Sequence, residues 1–442
     1  MRRGPAYAIV VAACVLPRAI ALVYERGAIL GSFVEKSDIL ARVFIQSGTF
    51  GYVPGVPTAN TQPLYGWFLI PIYWIAGRHW WSVGTVQIAV ATATAIVVYE
   101  TGRRFLSPWA GLIAAVVSTL HPYLVWHDVH VNREILDQLL GAAMFFLTLL
   151  VARRRSWWLV AALGVVSGVA ILSNARLLFL PIALGAFLLW RRSGWLAAVV
   201  VPVLAGITLL PWLVRNDVQV GCFTLTTDSR ALWKANNLRT YGLLKRGLWI
   251  DTLDSLPGEP YFGPTPTQAR DFYLSRGKKI NVHECYQQKR WQHLVIQFWK
   301  NHPGAKARLM VQATELLWSP EVTADSDVSG SGAGGVMHQL RHLGEPAFMI
   351  PLYALAIVGL FLVPTSFWVL ALIFFGYETF AAWVFAGTTR YRVPWDFVLA
   401  LLAAATLTRI PWRRWLGRES EATPAGPTGA APPTPGPARV PG

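Results

Sequence analysis

The chain has 442 residues, of which 54% are hydrophobic and only 14% charged, with 39 Lys and Arg against 23 Asp and Glu. A net charge of +16 ordinarily raises nucleic acid as a partner. Here the basic residues collect in gaps between long apolar runs, where membrane topology and attraction to anionic lipid account for them, so nucleic acid is excluded.

The apolar segments run over 5–24, 81–99, 108–126, 135–152, 156–173, 176–190, 195–213, 346–363, 366–386 and 391–408. Each is near the ~20 residues that cross ~30 Å of hydrocarbon, and a charge at the bilayer centre costs about 2.5–3.5 kcal/mol. The expected fold class is an all-α polytopic membrane protein of about ten transmembrane helices. Arg2–Arg3, Arg103–Arg104, Arg153–Arg155, Arg191–Arg192 and the tail residues Arg409, Arg413, Arg414 and Arg418 then share one face. The positive-inside rule makes that face cytoplasmic, with both termini on it. The run 63–78 is 16 residues long and carries two prolines. Counting it as a span would put Arg103–Arg104 and Arg153–Arg155 on opposite sides, so it is expected to lie in the outer interface. The first span precedes a large loop and shows no small-residue cleavage site, which makes it more than a signal peptide.

The expected organisation is a transmembrane core over 1–213 with a first outer loop at 25–80, and an extracytoplasmic loop domain at 214–345. C-terminal transmembrane helices follow at 346–410, then a basic, disordered cytoplasmic tail at 411–442. Ser329–Gly335 reads as a flexible linker, because no strand-turn-helix context makes it a phosphate cradle. Cys222 and Cys285 fall in the same outer loop. Two cysteines in an oxidising compartment can pair, but spacing alone does not bring their Cα atoms within reach. No internal repeat is evident.

Candidate chemistry concentrates at the outer ends of the spans. Asp38 stands at the start of a short helix that Ser37 can cap. A carboxylate there can take a proton from a hydroxyl, or simply complement the helix dipole. The stretch from His121 to Glu134 gathers His121, His127, Asp128, His130 and Glu134, with Asp137 on the same helix face as Glu134. These groups can hold a divalent metal or line a pocket for a hydroxylated substrate; the spacing matches no specific zinc pattern. Arg176, Arg215, Arg390 and Arg392 sit at outer span ends, against the positive-inside rule. Guanidinium groups there can clamp a lipid phosphate bidentately, or pair with outer carboxylates and snorkel to headgroups. Glu378 and Arg18 lie within spans, where a function or a structural pair explains them equally. Asp325 and Asp327 form a D-x-D best explained by chance in a Gly/Ser loop.

Taken in order, SDILARVFIQSGTFGY, QPLYGWFLIPIYWIAG, ETGRRF, HPYLVWHDVHVNREILDQLL, LSNARLLFLP, PWLVRNDVQVGCFTLTTDSRALWKANN and TTRYRVPWDFVLALLAA form a familiar series. Over about residues 5–410 the chain resembles the GT-C-type, lipid-carrier-dependent glycosyltransferases of the protein O-mannosyltransferase and aminoarabinose-transferase superfamily. The resemblance implies a GT-C-like fold, with interfacial helices in the first outer loop and a small extracytoplasmic domain. It also implies an inverting transfer of a sugar from a polyprenyl phosphate to an acceptor hydroxyl on a glycan, lipid or protein, at the outer face of the plasma membrane. Asp38 matches the family's base, and such catalysis typically contributes ~10²–10⁴-fold. Glu134 matches the acidic residue opening the fourth span, and Arg390 and Arg392 match the segment near the carrier phosphate. Arg176 and Arg215 are expected to join that phosphate group, while His130, Tyr65, Trp233, Asn236 and Asn237 are expected on the substrate. Some relatives carry an Asp-Glu pair where this chain has Asp38-Ile39, and others carry Glu-Lys before the Pro-Leu-Tyr, where it has Asn60-Thr61-Gln62. Both departures remove acidic groups, so the need for a divalent metal stays open and the substrate class is not inherited.

Three rival readings make different predictions. A flippase or transporter of lipid-linked glycans predicts paired repeats and working charges near the midplane, such as Glu378. A polymerase or ligase would move a whole oligosaccharide. Polar residues concentrated at the outer boundary favour the enzyme. An assembly partner without activity would tolerate loss of Asp38.

Overall fold

The computed structural model describes residues 3–31, 34–253, 281–323 and 336–410. The D-x-D at Asp325, the linker Ser329–Gly335 and the tail 411–442 lie outside the described residues. The first helix, α1 (Arg3–Tyr24), buries Ala6, Val10, Cys14 and Arg18 at four-residue spacing, whereas Leu16 and Ile20 are exposed. One stripe packs and the rest is left for lipid, the pattern of a helix at the rim of a bundle.

The first outer loop carries two short helices, α2 (Ser37–Ser47) and α3 (Leu64–Ala76), which pack on each other. The expected interfacial run is therefore a helix of 13 residues. Next come α4 (Trp80–Phe105) and α5 (Pro108–Thr119), which meet so closely that a Cβ on Gly102 would lie 2.5 Å from the Gly111 Cα. The expected third span, 108–126, breaks here: α5 has 12 residues and is followed by the separate α6 (Pro122–His127). Pro122 forces the break, since the residue before a proline is pushed out of the helical region and His121 sits at φ −56°, ψ 123°.

The helices α7 (Glu134–Arg154), α8 (Trp157–Ser173), α9 (Leu180–Trp190) and α10 (Trp195–Val220) complete the N-terminal half. α8 and α10 meet through Gly164 and Gly168, where a Cβ would fall within 3.1 Å of the Val201 and Ala205 carbonyls. Small residues let membrane helices approach this closely without a side-chain layer between them.

Between α10 and the last long helices come α11 (Ser229–Lys234), α12 (Thr240–Lys245), α13 (Asn281–Asn301) and α14 (Pro303–Trp318). Cys222 and Cys285 are disulfide-bonded, with Cα atoms 6.0 Å apart. The chain then returns through α15 (Val336–Leu362), α16 (Thr365–Val384), the single turn α17 (Thr389–Arg392) and α18 (Asp396–Arg409).

Among the described residues, α1, α4, α7, α10, α16 and the Leu343–Leu362 part of α15 are long and apolar enough to cross a membrane. α3, α5, α8 and the stretch Ala175–Trp190 are apolar but shorter. The architecture is an all-α polytopic membrane protein, with six helices of crossing length and four shorter apolar ones among the described residues.

Arg18, deep in α1, is 1% exposed and pairs with Asp128, with Nε at 2.9 Å and Nη2 at 2.7 Å from Oδ2. Its Nη1 donates to the Thr119 carbonyl and hydroxyl, and Gln138 Nε2 donates to the other Asp128 oxygen. This buried charge is a fastener between α1, the α5–α6 corner and α7.

Candidate active site

At one end of the bundle lies a cavity of about 390 Å³. Its walls come from the segment before α2 (Glu35, Lys36), the loop before α3 (Thr61, Gln62) and the corner after α8 (Asn174, Arg176). The stretch 224–229, Trp249–Asp251, Gln288 and Gln292 of α13, and Phe385, Arg390 and Tyr391 close the remaining sides.

Arg390 is the hub. Its Nε donates to Glu134 Oε1 at 2.6 Å and its Nη2 stands 3.3 Å from Glu35 Oε2. Burial works against its charge, but the two carboxylates outweigh burial and hold the guanidinium well above its ordinary pKa. Arg133 also lines the cavity; its Nη1 donates to Gln62 Oε1 at 2.9 Å and its Nε lies 3.8 Å from Glu134. The Arg176 guanidinium stacks 3.8 Å from the centre of the Tyr391 ring, and its Nη2 donates to the Ala386 carbonyl. Among the described residues Arg176 has no ion-pair partner, and its buried Nε makes no hydrogen bond. Opposite these cations Lys36 Nζ meets Asp228 Oδ2 at 3.1 Å. The cavity thus holds a cationic wall, in which Arg176 keeps one unsatisfied Nε, and a carboxylate, Glu35, within reach of the same space.

Two of the expected site residues, Arg176 and Arg390, line this cavity, and Glu134 stands directly behind Arg390. The other expected residues are placed elsewhere. Asp38 is 1% exposed and does not line the cavity. Its Oδ1 accepts from the Tyr73 hydroxyl and from Arg78 Nε, both at 2.7 Å, and Arg42 Nε lies 3.2 Å from Oδ2. It fastens α2 to the end of α3, and the carboxylate of this loop that reaches the cavity is Glu35. Arg392, expected on the phosphate, is fully buried and donates to Glu345 at 2.7 Å, to Asp396 at 3.0 Å and to the Ser319 carbonyl. A guanidinium so enclosed is out of a ligand's reach, and it does not line the cavity. Arg215 spends its Nη groups on the carbonyls of Phe50 and Thr58 and so anchors the first outer loop to α10.

The expected substrate contacts lie away from this cavity. Tyr65 donates to Gln87 at 2.6 Å, and His130 Nδ1 lies 2.9 Å from the Trp126 carbonyl, both buried. Asn236 is buried between the Leu232 and Val384 carbonyls and accepts from Trp299 and Lys306. Trp233 packs on Trp291 and, with Asn237, lines a different outer-domain crevice. The histidines do not converge: His121 is spent on Asp396 and Glu345, while His127 faces Glu134. Among the described residues no three His, Cys, Asp or Glu side chains are grouped to hold a metal ion.

Sequence reasoning missed Glu35, Lys36, Arg133, Asp228 and Tyr391. A signal for Glu35 was present: Arg42 stands four residues after Asp38, the spacing of a pair within a helix, which marks Asp38 as engaged.

Residues 57–214 match the family model described as dolichyl-phosphate-mannose-protein mannosyltransferase. That stretch contains Arg133, Glu134 and Arg176. No curated protein matches the chain in sequence. Among solved structures, ArnT from Cupriavidus metallidurans bound to undecaprenyl phosphate is similar at 14% identity and a TM-score of 0.38, covering 89% of this chain and 77% of that one. The apo form of ArnT from the same organism is similar at 16% identity and a TM-score of 0.35, with the same coverages.

Proposed function

We propose that this chain is a GT-C-type glycosyltransferase that moves a sugar from a polyprenyl phosphate to an acceptor hydroxyl. One observation carries the reading: one cavity joins the Arg176 guanidinium with its unsatisfied Nε, Arg390 and the Glu35 carboxylate. The match of residues 57–214 to the mannosyltransferase family supports it.

Each group has a part set by its charge. Arg176, with Arg133 and Arg390 beside it, receives the phosphate of the carrier, because guanidinium donors match phosphate oxygens in geometry. Glu35 takes the proton of the acceptor hydroxyl as its oxygen attacks the anomeric carbon. The bond from that carbon to the phosphate oxygen breaks, and its electron pair stays on the carrier phosphate, where the arginines stabilise it. Arg390 bridges the two sites by touching Glu35 directly. Leu178 and Phe385, at the apolar side of the cavity, would accept the first isoprene units of the carrier.

The Cys222–Cys285 disulfide and the cationic span ends on the opposite face support an active site outside the cytoplasm of a plasma membrane, with both termini inside. The sugar is a hexose or pentose, and the acceptor carries a hydroxyl. The test is transfer by the purified protein in lipid, with a panel of radiolabelled polyprenyl-phosphate sugars. Glu35→Gln is expected to lose ~10²-fold or more in turnover with carrier binding retained, as for removal of a general base. Asp38→Asn, scaled to its folded fraction, is expected to stay within ~10-fold of wild type, since an ion-pair fastener acts through stability. The reverse order of effects would return the base to Asp38.

A further inference from the structure

We infer that Glu284 is a positioning residue, whose buried carboxylate clamps the first outer loop to the strap 222–229 and fixes the shape of the cavity wall. The inference rests on the proposed transfer reaction, because the wall it fixes is the wall of that active site.

Glu284 is 3% exposed, lies outside the cavity lining, and belongs to α13 beside the disulfide-bonded Cys285. Its Oε1 accepts three donors: the Thr58 hydroxyl at 2.9 Å, the Ala59 amide at 3.0 Å, and the Thr227 hydroxyl. Two come from the first outer loop and one from the strap, so one oxygen joins both. Around it the same two segments are sewn together: Thr227 N donates to the Ala59 carbonyl and the Thr226 hydroxyl to the Asn60 carbonyl. Gln288, one turn further along α13, donates to the Thr224 hydroxyl and the Thr226 carbonyl.

Both clamped segments run straight into the cavity. On the loop side, Thr61 and Gln62 follow Asn60, and Gln62 accepts from Arg133. On the strap side, Asp228 follows Thr227 and pairs with Lys36, the neighbour of Glu35. Glu284 therefore reaches the proposed base through Thr227, Asp228 and Lys36, and the phosphate wall through Ala59, Gln62 and Arg133. It touches neither substrate. A purely structural carboxylate would hold the outer domain together without setting those two distances.

The experiment uses the full chain in lipid nanodiscs. Binding of polyprenyl phosphate is followed by fluorescence of the tryptophans, among which Trp249 lines the cavity. Glu284→Ala is expected to weaken binding ~10-fold or more, the scale of losing a buried multi-donor acceptor. Glu284→Gln is expected to remain within ~3-fold of wild type, because only Oε1 is used and an amide oxygen can replace it. The Thr58→Val/Thr227→Val variant removes two of the donors at nearly constant volume and is expected to fall between them. Hydrogen exchange without ligand should rise at 58–62 and 224–229 in Glu284→Ala, which tests the clamp independently of any transfer. A lower thermal midpoint with unchanged binding and unchanged exchange in those segments would overturn the inference. So would Glu284→Gln as damaging as Glu284→Ala, which would assign the effect to charge. If wild type binds no polyprenyl phosphate, the transfer reading fails, and the exchange pattern alone decides the clamp.

Discussion

Glu35 and Asp38 are three residues apart, and their surroundings separate them. Asp38 is inside the first turn of α2, where its carboxylate is met by Tyr73, Arg78 and Arg42. Glu35 precedes the helix, keeps part of its carboxylate open to the cavity, and has the Arg390 guanidinium for a neighbour. The same contrast separates Arg176 from Arg392: one is stacked on an aromatic ring with an unsatisfied Nε, the other is enclosed by two carboxylates and a carbonyl. Arg176→Gln is therefore expected to raise the KM for the lipid donor ~10-fold or more, the loss of one charge-assisted phosphate contact; steady-state kinetics with varied donor reads it directly. Lys234 offers a pH test at this scale. Burial pushes its ammonium down to about 8, against the opposing pull of Asp251. An unfolded lysine titrates near ~10.4, so between these two values the unfolded chain binds more protons and stability climbs as pH rises. Thermal midpoints measured across that window should rise in wild type, and rise less in Lys234→Met.

At the scale of elements, two devices fasten the fold. One is the buried pairing of Arg18 with Asp128, which binds α1 to the α5–α6 corner. The other is the disulfide that closes 63 residues of the outer loop onto the end of α10. Cross-linking a loop of that length removes disorder from the unfolded chain and typically contributes about 2–4 kcal/mol. The Cys222→Ser/Cys285→Ser variant is expected to unfold at lower temperature than wild type by scanning calorimetry in detergent, and mild reductant should lower wild type to the same midpoint. An equal midpoint in all three samples would mean that the α13 hydrogen bonds alone hold the domain. The α16–α17 connection shows how tightly elements approach: a Cβ on Gly387 would lie 1.8 Å from the Ala313 carbonyl of α14. That contact sets the turn from which Arg390 and Tyr391 enter the cavity.

For the whole molecule, alternation of apolar spans and arginine clusters makes orientation testable. A cysteine introduced at the exposed Leu238 should react with a membrane-impermeant maleimide on intact cells, and one at Arg191 only after lysis. The opposite labelling would place the cavity in the cytoplasm and exclude the proposed carrier chemistry on the outer face. The all-α membrane class, the order of the apolar segments and the position of the polar clusters at segment ends are determined by the sequence itself, because the cost of burying charge in hydrocarbon acts on every residue independently of its partners. The break of the third segment at Pro122 follows from one local rule, although reading hydropathy alone runs across it. Which carboxylate and which arginines face the cavity was decided only by tertiary structure. Arg176, Arg215, Arg390 and Arg392 look alike as outer-end cations, and Glu35 and Asp38 as loop acids. A charged side chain becomes available to a ligand only if the fold leaves its partners too few or too far. For Asp38, Arg215 and Arg392 those partners come from Arg78, Phe50 and Glu345, which lie 40, 165 and 47 residues away along the chain.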